Sequence, residues 1–254
     1  MPGFGSCSGG KLCEVTVMLN RYIKANRSDF LMFPLFMAVP FLLVEGFLAV
    51  LVGGFHEHSV PLMGGVIALT AGCIVLLIAA VGLVTSYFDI FLSFGRTRRE
   101  ALGMVARLAA LYTAFCSLLG ILFIELEKHL VPGLLARVGG FAEYRLESLC
   151  IPEGSVPPAG VLYTAPIPLP WWAVPLILAA AALTSFIIAT VIRRWGSKAG
   201  WILYFIFLAS ILSFNYTDSL FMKLLPFLGI GFLVFLVGGF FWALRELRHT
   251  AIKI

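Results

Sequence analysis

The sequence predicts an all-α polytopic membrane protein, with six transmembrane helices and an amphipathic helix at the membrane interface before them. Three observations carry this prediction. Hydrophobic residues make up 61% of the 254-residue chain and charged residues 12%, against roughly 45–50% and 25% in soluble proteins. With 13 acidic and 18 basic side chains and a mean hydropathy of +1.01, the chain lacks the polar surface a soluble globule of 27.7 kDa would need. Second, there are six apolar runs near the roughly 20 residues that a helix needs to cross a bilayer core. Third, Lys and Arg alternate in abundance from one inter-span segment to the next. Soluble enzymes, secreted disulfide scaffolds and nucleic-acid-binding modules are excluded.

Residues 1–29 read as a cytoplasmic N-terminus. Met1 to Gly10 is small and polar, without the apolar core or basic lead of a signal peptide. From residue 11 to 29, Leu12, Val15, Leu19, Tyr22 and Ile23 share one helical face and Lys11, Glu14, Arg21 and Lys24 lie elsewhere. That pattern suits a helix lying on anionic headgroups. Residues 30–254 form the six-helix domain. The spans cover about Phe30–Gly54, Leu62–Val84, Met104–Ile124, Trp171–Ile192, Trp201–Asn215 and Leu224–Leu244, and none shows the alternation of a barrel strand. Small residues at Ala179–Ala182 and at Gly229, Gly231, Gly238 and Gly239 mark close helix packing.

The segments before span one, between two and three, between four and five, and after six hold 14 of the 18 Lys and Arg. The other side has only Lys128, Arg137, Arg145 and Lys223. The positive-inside rule therefore places both termini in the cytoplasm. The outer loop 125–170 divides in two. Its first half is amphipathic and helical, with Leu126, Leu130, Leu134, Leu135 and Val138 in register. Its second half, IPEGSVPPAGVLYTAPIPLP, is too rich in Pro for helix. A loop of this length is expected to be functional, as a cap over the outer mouth, or disordered.

Several motifs point to chemistry that the chain does not support. Gly5–Lys11 matches G-x-x-x-x-G-K, but Leu12 stands where a P-loop has its magnesium-binding Ser or Thr, and no strand precedes it. His56-Glu57-His58 lacks the H-E-x-x-H spacing of a zinc hydrolase and has no third ligand nearby, so no metal site is expected. Cys7, Cys13, Cys73, Cys116 and Cys150 place one thiol on the outer side, which rules out an intramolecular disulfide there. Glu125, Glu127, His129 and Glu143 read as the solvated face of an amphipathic helix rather than a lipid-modifying centre. No catalytic set is present.

Charge inside the spans is rarer. Glu45 lies about nine residues, some 13 Å, from the outer end of span one. A carboxylate there costs roughly 2.5–3.5 kcal/mol and should face the bundle interior or a wet cavity. It lines a substrate path or is a protonated or paired structural group. Asn215, Tyr216, Thr217 and Asp218 interrupt span five and suggest a turn whose backbone protein or water must satisfy. Glu45, Asn215 and Asp218 are therefore the candidate path residues.

The segment Ser93-Phe-Gly-Arg-Thr-Arg-Arg-Glu100 resembles the S-x-G-x-[ST]-R-[RK]-x stretch in the first cytoplasmic loop of bacterial ABC transporter permeases of the six-span ABC-2-like group. The general layout is also similar over the whole chain. The resemblance implies that segment 87–103 forms a coupling helix docked on a separate ATPase, through Phe91, Phe94, Gly95, Arg96, Thr97, Arg98, Arg99 and Glu100. It also implies two ATPase subunits carrying ATP and magnesium, no cofactor on this chain, and a second permease, either the same chain or a different one. Transport would be export, by alternating access, in a bacterial plasma membrane, and the apolar path would suit hydrophobic or cationic cargo. The long outer loop between spans three and four departs from that group, which more often elaborates the region between spans five and six. The alternative is a non-transporting assembly or scaffold protein that binds a partner through its outer loop, with the arginines serving only as topology signals.

Overall fold

The computed structural model describes residues 27–55, 59–95, 97–146, 160–196, 198–202, 205 and 218–249, and the backbone alone at 27–30, 218–230 and 249. Helix α1 spans Arg27–Phe55 and stays continuous through Pro34 and Pro40. Neighbouring helices and local adjustments make such prolines tolerable in a membrane helix. Helix α2, Gly64–Gly82, runs into a π-helical segment at Leu83–Tyr87 and then the short helix α3, Phe88–Ser93. Helix α4, Arg98–His129, continues as α5, Val131–Gly139, with Pro132 in its first turn. Helices α6, Ala173–Trp195, and α7, Asp218–His249, follow.

Four stretches are long and apolar enough to cross a membrane: Leu31–Phe55, Gly64–Ser93, Arg98–Gly139 and Ala173–Trp195. The first four predicted spans overlap them, with starts that differ by up to two residues except in the third, which lies wholly inside. Most of the fifth lies outside the described residues, and so does the predicted interfacial helix except for its last residues, where α1 begins. The sixth falls on α7.

Contacts fix the helix directions. Met37 meets Gly72, and Phe41 and Glu45 meet Gly64, so α1 and α2 are antiparallel. Phe33 packs edge-on to Tyr112 at 4.9 Å and Phe41 against Phe123 at 5.0 Å, so α1 and α4 are parallel. Phe186 meets Phe240 and Arg194 meets Glu246, which makes α6 and α7 parallel too. Small residues set the closeness of these crossings. A side chain at Gly120 would touch Val174 and Leu69, and one at Gly239 would strike Ile187.

The described residues are mostly helical, as the sequence predicts, with one small sheet added to them. Strands β1, Ser59–Leu62, β2, Glu143–Leu146, and β3, Val161–Pro166, form a parallel sheet in the order β1-β3-β2. Ser59 pairs with Tyr163, and Glu143 with Val161. The prolines of the outer loop bar helix but not a strand end or an edge strand. Pro166 closes β3, and Pro61 sits in edge strand β1. Val60, Leu62 and Leu162 join Phe41, Val52, Val131 and Leu135 in a core at this end of the bundle. A larger core built on Met37, Leu83, Phe88, Val105, Leu178 and Leu247 fills the rest.

Candidate functional site

Polar chemistry gathers at the two ends of the bundle. At the end away from the sheet, α3 stops at a tight turn. Gly95 has φ +74, a left-handed conformation that L side chains resist, and its N–H donates to the Leu92 carbonyl at 3.1 Å. Thr97 then caps α4. Its hydroxyl accepts from Glu100 N at 3.3 Å, and its own N–H donates to Glu100 Oε2 at 3.2 Å. This reciprocal capping box satisfies two otherwise orphaned donors.

The segment expected as one coupling helix is thus divided between the end of α3 and the start of α4. Phe94 stands out at 76% exposure, while Phe91 is half-buried against the core. Gly95, Thr97, Arg99 and Glu100 are exposed, and Arg96 lies outside the described residues. Arg98 turns toward α7 and donates to the Arg248 carbonyl at 3.1 Å.

Behind the turn, Arg193 of α6 ties down the π-helical segment. Its Nη1 donates to the Val84 carbonyl at 2.6 Å and its Nη2 to Asp89 Oδ1 at 2.5 Å. Its guanidinium also lies 4.8 Å from the centre of the Phe88 ring. A planar fork is suited to serve two acceptors over an aromatic face in this way. Next to it, Arg194 pairs with Glu246 of α7 at 2.7 Å and lies against the Trp195 and Trp242 rings.

At the sheet end, Glu45 of α1 and Glu127 of α4 converge over the first turn of α2. Glu127 is 4% exposed, which overturns its reading as part of a solvated face. Of its companions, His129 and Glu125 do face outward and pair with each other at 3.3 Å. Glu127 Oε2 accepts from Gly65 N at 2.9 Å, and the Glu45 carboxyl lies against the neighbouring residue, Gly64. Glycine makes this approach possible. A Cβ on Gly64 would collide with Glu45 Oε1, and one on Gly65 with Glu127 Oε2. Both Glu45 oxygens and Glu127 Oε1 are buried without a hydrogen-bond partner.

Asn215 and the side chain of Asp218 are outside the described residues, and the Asp218 backbone opens α7. Helical spacing could have identified Glu127: Gly120, Ile124, Glu127 and Val131 form one stripe at intervals of three to four residues, and all four are buried. Among the described residues, no group of three or more His, Cys, Asp and Glu is placed to hold a metal ion.

Fold and composition together define a helical membrane protein. No family model, no curated protein and no solved structure matches the chain.

Proposed function

We propose that this chain is the membrane-spanning permease subunit of an ABC transporter, an exporter whose ATP hydrolysis takes place on separate ATPase subunits. The observation that carries the reading is the turn at 94–99. An exposed Phe94 follows α3, and the exposed Arg99 and Glu100 stand in the capped first turn of α4. An aromatic anchor with a charged rim gives a compact interface both affinity and orientation. The similarity of Ser93–Glu100 to the coupling segment of ABC-2-like permeases points to an ATPase as the partner. Two such ATPases, with ATP and magnesium, would serve a pair of permeases in a bacterial plasma membrane.

The six-span layout with cytoplasmic termini belongs to the same proposal. Parallel α6 and α7 need a return between them, and the predicted fifth span supplies one. In alternating access, ATP-driven closure of the ATPases would push on the turn. The Arg193 anchor to Val84 and Asp89 would carry that push into α6 as well as α2 and α4. This mechanism requires the turn to make different contacts in the two states.

The test combines Phe94→Ala with Arg99→Glu, both exposed side chains. The variant should keep its melting behaviour in detergent but lose most of the copurifying ATPase and its substrate-stimulated turnover. Full complex assembly with undiminished stimulated turnover would sink the coupling role.

A further inference from the structure

We propose that Glu45 and Glu127 form a proton-binding site at the sheet end of the bundle, with one proton held between two carboxyls over the N-terminus of α2. The inference is independent of any ATPase partner. It starts from four oxygens in a confined space. One, Glu127 Oε2, is committed to Gly65 N–H, and the other three are buried without a partner. Glu127 itself is 4% exposed. Two neighbouring carboxylates in such surroundings cannot both stay ionised, because desolvation and like-charge repulsion add. The positive end of α2 and the Gly65 N–H favour one negative charge, and only one.

A single proton satisfies these demands. Carried by Glu45 and donated to Glu127 Oε1, it gives the unpartnered oxygens one hydrogen bond and leaves the charge on Glu127, where the helix N-terminus receives it. A metal ion suits the site less well. Calcium takes six to eight oxygen ligands, and three free carboxyl oxygens fall short.

Among the described residues, the surrounding charges leave this balance in place. On α4, Lys128 bears on Glu127 but is engaged with Glu125 at 3.4 Å, and Glu125 also meets His129. Arg137 of α5 and Glu143 and Arg145 of β2 are exposed. The α2 side of the site is the Gly64-Gly65 backbone, and Cys73, more than two turns further on, is the nearest ionisable side chain of that helix. Because α1, α2 and α4 meet at this pair, losing the proton would set two negative charges against each other across the crossing. The helix packing is thereby linked to pH.

Dicyclohexylcarbodiimide, which reacts with protonated carboxyls in apolar surroundings, tests the site on the intact chain in detergent or nanodiscs. Peptide mass spectrometry should find Glu45 modified at neutral pH, with the labelling falling away as pH rises. Glu125, half-exposed at the same end, should stay unmodified. In infrared spectra, a protonated-carboxyl band should be present at neutral pH and disappear in Glu45→Gln. The wild-type band and labelling test the proposal even if that variant does not fold. Absence of both from the wild-type protein at neutral pH would overturn it. Suppression of labelling by sodium or calcium at constant pH would also overturn it, in favour of a metal cation.

Discussion

Arg193 and Arg194 are adjacent and carry the same charge, but their surroundings differ. The Arg193 side chain is 11% exposed and serves a carbonyl that the π-helical segment presents, while that of Arg194 is 43% exposed in a pair at the bundle surface. Arg193→Ala leaves the Val84 carbonyl and Asp89 without their donor and should cost about 1–3 kcal/mol. The partial exposure of Asp89 keeps the loss toward the lower end. Arg194→Ala should cost about 0–1 kcal/mol, and less at high salt. Melting midpoints of the two variants in one detergent, at low and high salt, separate these cases. From the sequence alone both arginines are topology signals, because charge counting does not reveal which carbonyl a guanidinium reaches. The burial of Glu127 is hard to read for a related reason. Its acidic neighbours Glu125 and Glu143 suggest a solvated face, and the period shared with Gly120, Ile124 and Val131 was the stronger signal.

At the scale of elements, the meeting of α2 with α1 and α4 depends on Gly64 and Gly65. A Cβ on Gly65 would lie 3.1 Å from the Ile124 Cα as well as against Glu127, so backbone must move. Gly65→Ala should therefore destabilise the protein by about 1–3 kcal/mol. Gly82→Ala, whose Cβ meets nothing within 4 Å, should leave the melting midpoint unchanged or slightly raised. A fall in midpoint as large for Gly82→Ala as for Gly65→Ala would contradict the close crossing. The apolar runs made the first four membrane helices legible, since length and hydropathy suffice to place them. The sheet was not legible. Its strands are four to six residues long, lie far apart in sequence and include prolines, and strand pairing is a long-range property that no local pattern records.

At the scale of the whole molecule, the bundle has an arginine-tied end and an acidic end. The capped turn at Gly95, the Arg193 anchor and the Arg98–Arg248 contact join four helices on one side. On the other, the sheet closes over the helix ends near the Glu45–Glu127 pair. The sequence motif at Ser93–Glu100 reads as part of one coupling helix, although a helix ends at Ser93 and the next begins at Arg98. It did not show that Phe91 packs inward while Phe94 projects, because both stand in the same aromatic run. We propose that this projecting turn engages an ATPase. Purification of the tagged chain in mild detergent, with mass spectrometry and an ATP-turnover assay on the eluate, tests this. The expected result is a stoichiometric partner carrying a P-loop, together with ATP turnover. A clean preparation without any ATPase, under conditions that preserve other membrane complexes, would contradict it and leave the arginine cluster as a topology signal.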